Sequence, residues 1–487
     1  MKILVVYDNT IQPNDIIKEV IGEKGFGDVV VKRKLLKDFY KENISDVSED
    51  VIWMECSNLY DIDILIQRGV DFDKKEDTKV LHCFADFIVS DKQEMLLTYK
   101  KINYIEEDIQ LILSNRCPAL MFSTLTSYVE FLKKSAKKQG TKNAMQELNL
   151  PELAVKGLNY IGEIGNFIQC ITGNFDSRYF NSLQGTEYRI RKSSTNKKKI
   201  KSEYQYYHLL PEYMQRWFVM PFDYQEDEKT ASYAMERLHM TDIAIKWVHG
   251  SIKSDEFKDL MDMYFYFFNE RSKKEVSVSE YRKANTILYV DKVSERLSDL
   301  KKLPEFRKIA NLLANNDKIK SIDDIYTWYL LLKEKVEHRT NYPIISVIGH
   351  GDPCFANAMY NRSTRTLKFI DPKGALCEDE LWTNPYYDIA KLSHSVCGRY
   401  DFFNNAMFDI IIDDKFDYLL TIPFDNTEYK EIFRKKVEEN GFDYWSVRLY
   451  EASLFLSMLP LHIDFPHRVF GFILNAVNIL KEIEENI

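Results

Sequence analysis

The chain has 487 residues with 66 Lys+Arg against 75 Asp+Glu, a formal net charge of −9 and a pI near 5.7; an acidic balance of this kind argues against a general DNA or RNA partner. Hydrophobic residues make up 45% and aromatic residues 14%, a globular composition in a length that allows roughly two to three domains. No stretch approaches the roughly 18 uninterrupted apolar residues of a membrane helix, and seven scattered cysteines without metal-type pairs point to the reduced thiols of a cytoplasmic protein.

Residues 1 to about 145 read as an α/β domain. The apolar run Ile3-Leu4-Val5-Val6-Tyr7 is too short for a signal peptide and leads into a polar turn. It is strand-like, as are Val29-Val30-Val31, Val51-Ile52-Trp53-Met54 and Val80-Leu81-His82-Cys83-Phe84; Ser127 to Lys138 has a helical pattern. Asp8 closes the first strand, a place that invites a catalytic reading as in phosphatases with a strand-end Asp. Position 10 is Thr where a partner Asp would stand, and no glycine-rich nucleotide loop follows. The expectation is a non-catalytic domain that resembles a degenerate sugar-nucleotide transferase (nucleotidyltransferase), with Gln139-Gly140-Thr141-Lys142-Asn143 as the linker after it.

Residues 160–238 carry strand signals around turns. Ile168 to Ile171 and Glu187 to Lys192 read as strands on either side of Thr172-Gly173-Asn174-Phe175-Asp176-Ser177, a turn-rich segment whose backbone N–H groups, at Gly173 above all, could cover phosphates. It has one glycine where richer loops have three, and a plain hairpin turn is the alternative. In Tyr188-Arg189-Ile190-Arg191-Lys192 the alternation places Tyr188, Ile190 and Lys192 on one face. A strand-end Lys can pair with the α- and β-phosphates; Lys192 takes that role with Arg191 as its rival. Glu203 opens a helical pattern eleven residues on. Lys197-Lys198-Lys199 reads as a solvated turn. Phe218 to Phe222 and Ala231 to Met235 read as two more strands, and Glu236-Arg237-Leu238 follows them.

From 239 onward the chain is helix-rich, over Asp255 to Arg271, Val278 to Leu297 and Ile322 to His338. Then comes His350-Gly351-Asp352-Pro353-Cys354-Phe355-Ala356-Asn357, followed by a hairpin, Ala358 to Tyr360 and Thr366 to Ile370, that ends on Asp371. This stretch offers one acid to meet a substrate hydroxyl, and an amide oxygen and a second acid to hold magnesium. Those are the parts phosphoryl transfer needs, because its transition state is stabilised by positioning and by cations on the phosphate oxygens. Trp382, Tyr386 and Tyr387 offer either core or an aromatic wall for a cation. His462 and Asp464 interrupt an apolar segment and read as a satisfied buried pair or as substrate contacts.

His-Gly-Asp-x-x-x-x-Asn followed by a hydrophobic strand and Asp resembles the catalytic and metal loops of the aminoglycoside phosphotransferase and choline kinase group of small-molecule kinases. Asn384-Pro385-Tyr386-Tyr387-Asp388-Ile389-Ala390 resembles the segment whose Asp supports the catalytic loop in that group. The resemblance implies an α+β, bilobal, protein-kinase-like fold, with a small antiparallel β lobe (160–238) and a large helical lobe (239–487) behind the α/β domain. It implies Asp352 as catalytic base with His350 bracing the catalytic loop 350–357. It implies Asn357 and Asp371 as magnesium ligands, the latter in a metal loop 371–374 that reads Asp-Pro-Lys-Gly where protein kinases have Asp-Phe-Gly. Lys192 and Glu203 match the fold's Lys–Glu pair, Glu236 to Leu238 its adenine-binding hinge, and ATP or another nucleoside triphosphate with Mg2+ its cofactors.

The expected function is therefore phosphorylation of a hydroxyl on a small molecule. A sugar or sugar-like alcohol in surface-polysaccharide or related biosynthesis is the leading acceptor, because an α/β domain fused ahead of a kinase suggests a biosynthetic, bifunctional ancestry; choline, ethanolamine or an aminoglycoside is the alternative. A nucleotide-binding pseudokinase scaffold is the reading from another class. The thin glycine loop favours it, and the complete set of Asp352, Asn357 and Asp371 opposes it. Pro372 and the lack of an Ala-Pro-Glu segment count against a protein kinase.

Overall fold

The computed structural model describes residues 2–31, 33–58, 60–65, 78–172, 181–185, 188–316 and 319–487. The chain divides into two compact units, Met1–Phe175 and Asp176–Ile487. Among the described residues no helix is long and apolar enough to cross a membrane.

The first unit is built on a six-stranded sheet in the order Asp50–Cys56, Lys2–Asp8, Thr78–Phe84, Arg116–Phe122, Ile109–Leu113, Glu152–Ala154. Lys2–Asp8 pairs in parallel with both neighbours, which sets Asp8 level with Cys56 on one side and Phe84 on the other. A strand with parallel partners is covered on both faces and needs a near-continuous apolar run, which Ile3 to Tyr7 supplies. Arg116–Phe122 runs antiparallel to Thr78–Phe84 and to Ile109–Leu113. Of the expected strands, Val29–Val31 stays outside the sheet: Val30–Val31 pairs with Lys34–Leu35 in a two-stranded hairpin of its own. Helix Leu125–Lys137 starts where the Thr124 side chain accepts from Ser127 N–H at 3.1 Å and buries Leu125, Tyr128, Val129, Phe131 and Leu132. The segment 139–143, expected as a linker, is instead part of this unit. Helix Thr141–Met145 packs on Leu125–Lys137, and Thr141 is fully buried.

The second unit begins with a four-stranded antiparallel sheet in the order Asn181–Gly185, Arg189–Ser194, Ala231–Glu236, Pro221–Glu226. Helix Lys197–Leu209 packs on it and buries Ile200, Glu203 and Tyr206, a spacing of three that keeps them on one side. The lysine run 197–199, expected as a turn, is the first turn of that helix, capped by Asn196 accepting from Lys199 N–H at 3.1 Å. The strand expected at Phe218 starts only at Pro221. The backbone before it is used elsewhere: Phe369 N–H donates to the Trp217 carbonyl at 2.7 Å and Val219 N–H to the Phe369 carbonyl at 3.1 Å.

The rest of this unit is mainly helical. The expected helices appear as Ser254–Glu270, as Val278–Thr286 running through a π turn, Ile287–Asp291, into Lys292–Lys302, and as Ile322–Arg339. At the centre lies Tyr444–Met458, buried on nearly every side, as a helix apolar all round must be. Pro385–Val396, Lys292–Lys302, Ile322–Arg339 and Pro466–Asn486 pack around it. Two small sheets hold the loop between 349 and 357. Lys273–Glu275, Ile345–Ile348 and Trp382–Thr383 deliver the chain to it, and Thr241–Asp242, Ala358–Asn361 and Thr366–Phe369 receive it.

Candidate active site

The loop 349–357 cannot form regular pairings of its own, so its backbone groups need partners from outside. Asp388, fully buried, supplies two: its Oδ2 accepts from His350 N–H at 2.9 Å and its Oδ1 from Gly351 N–H at 2.8 Å. The Arg271 guanidinium lies 3.0 Å from Asp388 Oδ2 and offsets its charge. Ser395 Oγ accepts from Phe355 N–H at 3.1 Å, and Tyr206 OH donates to the Gly349 carbonyl at 3.0 Å. Gly351 has φ 87, and a Cβ there would stand 2.5 Å from Lys373 Cβ, so glycine is required by conformation and by space.

His350 is wholly buried. Its Nε2 donates to the Ile370 carbonyl at 2.9 Å, its Nδ1 accepts from Asp352 N–H at 3.0 Å, and its ring stacks on Phe218 with centroids 5.7 Å apart. Burial pushes its pKa down, in keeping with a neutral ring. Both ring nitrogens are therefore engaged, and the ring ties the loop 349–357 to the strand that leads to Asp371.

Asp352 is half-buried, with its Oδ1 3.1 Å from Lys391 Nζ. The Asn357 side-chain nitrogen donates to the Asp352 carbonyl at 2.9 Å, which leaves the amide oxygen as the remaining polar atom of that side chain. Ile370 N–H donates to the Asn357 carbonyl at 3.0 Å, and the next residue is Asp371, held in the left-handed region at φ 54. Backbone bonds thus place Asp352, Asn357 and Asp371 on adjoining loops. Among the described residues no group of three or more His, Cys, Asp and Glu could hold a metal by itself. Asn357 and Asp371 are a pair of oxygen donors, which suits a hard cation whose other ligands are phosphate oxygens and water.

Lys192 is 3% exposed. Its Nζ lies 2.8 Å from Glu203 Oε2 and 2.8 Å from Asp371 Oδ1. Burial alone would pull its pKa down, but the carboxylates of Asp371 and Glu203 outweigh that and raise it. Glu203 is held in turn by Tyr233 OH at 3.1 Å. The rival Arg191 points to the opposite face of the strand, where it donates to Ser232 Oγ at 3.0 Å and pairs with Asp223. Glu236 ends strand Ala231–Glu236 and is exposed, Leu238 is half-buried, and Arg237 N–H donates to the Tyr188 carbonyl at 3.0 Å; the three lead directly into Thr241–Asp242 and the helical part. Gly173 lies outside the described residues. A small cavity between the sheet and Asp371 is lined by Glu203, Tyr206, Phe218, Tyr233, Phe369 and Asp371, among others.

Two further expectations in this unit are answered by packing and exposure. Tyr386 is buried among Tyr342, Phe442 and Tyr450. Tyr387 OH accepts from Lys292 Nζ at 3.0 Å, and Trp382 has Lys274 Nζ 4.3 Å from its ring centroid, so these aromatics form no common wall. His462 is buried but Asp464 is exposed, so they are not a buried pair. In the first unit Asp8 is also fully buried. Its oxygens accept from Thr10 N–H at 3.0 Å and Thr10 Oγ at 2.6 Å, face His82 Nε2 at 3.0 Å, and accept from Thr141 Oγ. These partners engage both oxygens of the carboxylate at the end of the strand.

Two features escape a reading by motif. Lys391 follows Asp388 by three residues, a spacing that puts both on one helix face; once Asp388 faces the loop, Lys391 must face it too. Asp401, 1% exposed, has its pKa pushed up to about 7 by burial, with Asp242 and Asp352 adding to the rise.

No protein-family model matches the chain, and no curated protein does. In fold it is similar to solved structures of aminoglycoside phosphotransferase APH(4)-Ia. The ternary complex of a thermostable mutant with AMP-PNP and hygromycin B matches at 10% identity and a TM-score of 0.39, covering 64% of this chain and 93% of that one. The apo form matches at 12% identity and a TM-score of 0.34, covering 62% and 94%. An ethanolamine kinase of Plasmodium vivax matches at 11% identity and a TM-score of 0.33, covering 70% and 92%. A small antiparallel sheet with a Lys–Glu pair, then a clamped His-Gly-Asp loop and a large helical part around one buried helix, give the second unit a bilobal, protein-kinase-like α+β fold.

Proposed function

We propose that this protein transfers the γ-phosphoryl group of ATP to a hydroxyl of a small molecule. The observation that carries the proposal is the bridging of Lys192, buried between Glu203 and Asp371, beside a loop that presents Asp352 and Asn357. A buried cation shared by two carboxylates is costly to assemble, and a scaffold has no use for one placed beside a half-exposed third carboxylate.

In this reading Lys192 holds the α- and β-phosphates, kept in place by Glu203. Asn357 and Asp371 supply oxygen ligands to magnesium, which when bound neutralises charge on the β- and γ-phosphates. Asp352 orients the acceptor hydroxyl and receives its proton as the new O–P bond forms and the bond to ADP breaks. The segment Glu236 to Leu238 offers backbone groups to the adenine. The acceptor class we favour is a sugar or sugar-like alcohol. What supports it is the α/β unit carried ahead of this one in the same chain, an arrangement that suits a biosynthetic enzyme; choline, ethanolamine or an aminoglycoside is the alternative.

The test is purified protein with ATP, Mg2+ and a panel of polyols, sugars, amino alcohols and aminoglycosides, with ADP formation and phosphorylated product measured. Asp352→Asn is expected to lower kcat by roughly 10²–10⁴-fold, the range for loss of a general base, with little change in nucleotide binding. Turnover that survives Asp352→Asn would overturn the assignment of the base. ATP binding seen as a magnesium-dependent thermal shift, with no product from any acceptor, would select the pseudokinase reading instead.

A further inference from the structure

We propose that Lys391 is a further catalytic residue of this site: paired with Asp352 at rest, it donates to the transferred phosphoryl group as that group reaches the acceptor. The proposal rests on the kinase reading above and deepens it.

The geometry starts from helix Pro385–Val396, which presents Asp388, Lys391 and Ser395 to the loop 349–357. Asp388 and Ser395 bind backbone N–H groups and fix the loop's path. Lys391 does something different: its Nζ reaches past the backbone to the carboxylate of Asp352, at 3.1 Å from Oδ1. The lysine side chain is 19% exposed, so most of its length is packed and the ammonium is held in one place. A long exposed lysine would lose rotamer freedom to do the same and contribute little. Burial pulls its pKa down, but Asp352 outweighs burial and raises it, so the cation persists at neutral pH. His394, one turn further on, has its pKa driven down by burial and then by Lys391, so it adds no second positive charge.

A cation is needed here on chemical grounds. The γ-phosphoryl group carries negative charge toward the carboxylate that serves as base, and like charges brought together oppose the step. During transfer the acceptor O–H bond breaks and its proton passes to Asp352. The acceptor oxygen forms a bond to phosphorus, and the bond from phosphorus to the ADP oxygen breaks with its electron pair leaving on ADP. Lys391 keeps its proton throughout. As Asp352 becomes neutral, the N–H that served the carboxylate is released to an equatorial phosphoryl oxygen. A donor preset where charge develops needs no reorganisation at the moment of reaction.

The test uses the full chain with ATP and Mg2+, and follows ADP formation with water as the probe acceptor. Lys391→Met is expected to lower kcat by about 100-fold, the scale for loss of one preset donor, with the KM for ATP within about threefold of the parent. Lys391→Arg, which keeps the charge, is expected to recover at least about tenfold of that loss. A Lys391→Met protein with unchanged kcat overturns the proposal. So does a folded Lys391→Arg protein, verified by its melting curve, that recovers nothing. If Lys391→Met does not fold, Lys391→Arg and Lys391→Gln carry the test, and equal rates in those two overturn it. A parent protein that forms no product from any acceptor of the panel defeats the kinase reading itself, and Lys391 with it.

Discussion

Lys192 is sealed from solvent yet bonded to two carboxylates that arrive from different places, Glu203 from a helix eleven residues on and Asp371 from 179 residues on. The two are not equivalent. Glu203 is buried with the lysine and positions it, whereas Asp371, 42% exposed at its side chain, is the one a phosphate and a cation could separate from it. Removal of the lysine should therefore cost more than removal of its positioning partner. Lys192→Met is expected to lower kcat/KM for ATP by roughly 100-fold, comparable to loss of a preset charged donor; Glu203→Gln, which leaves the lysine paired with Asp371, by about tenfold. Steady-state kinetics at varied ATP would check this, and a larger loss in Glu203→Gln than in Lys192→Met would sink the ordering. The pattern of alternation placed Lys192 and Arg191 on opposite faces before any fold was known, but only the helix packed on the sheet shows which face holds the acid.

Helix Pro385–Val396 is the element that turns a short motif into a site. Asp388, Lys391 and Ser395 stand at i, i+3 and i+7, a single face, and each meets a successive part of the loop: the backbone at 350 and 351, the side chain of Asp352, the backbone of Phe355. The motif itself was readable because its spacing is local, and the hairpin that returns Asp371 toward Asn357 was readable for the same reason. Arg271 was not. It lies 117 residues before Asp388, in no motif, and nothing nearby in the chain distinguishes it from a surface arginine at a helix end. Its side chain is 1% exposed and that of Asp388 fully buried. Breaking a buried pair by removing one partner leaves an uncompensated charge, at a cost of about 3–5 kcal/mol. Arg271→Ala is thus expected to lower the urea midpoint of the second unit by that much stability. Ser395→Ala, which removes one neutral hydrogen bond, should cost about 1 kcal/mol. Equal midpoints for Arg271→Ala and the parent would show that Asp388 needs no counter-charge.

Among the described residues, some buried ionisable groups face the candidate site and others are sealed in a core. Asp8 is of the second sort in the first unit: its strand-end position invites a catalytic reading, and in the fold its carboxylate is engaged by Thr10, His82 and Thr141. The last of these lies 133 residues away, beyond the reach of any reading by pattern. Glu451 is its counterpart in the second unit, on the central helix Tyr444–Met458, fully buried and paired with Arg448 and Ser393. Burial nonetheless outweighs Arg448 and pushes its pKa from 4.5 up to about 7. A carboxyl whose folded pKa exceeds its unfolded value binds its proton more tightly in the fold, so its contribution is fully present below about 4.5. It is lost as pH climbs through about 7, where the fold must hold a charge the unfolded chain carries at no cost. A shift of that size corresponds to roughly 3–4 kcal/mol. Glu451→Gln has no proton to lose, so its stability should change less than the parent's between pH 5 and pH 8. Urea unfolding at the two values measures the difference, with the Arg448 charge left in place in both proteins, and parallel pH dependences would place the ionisation of Glu451 well below neutrality.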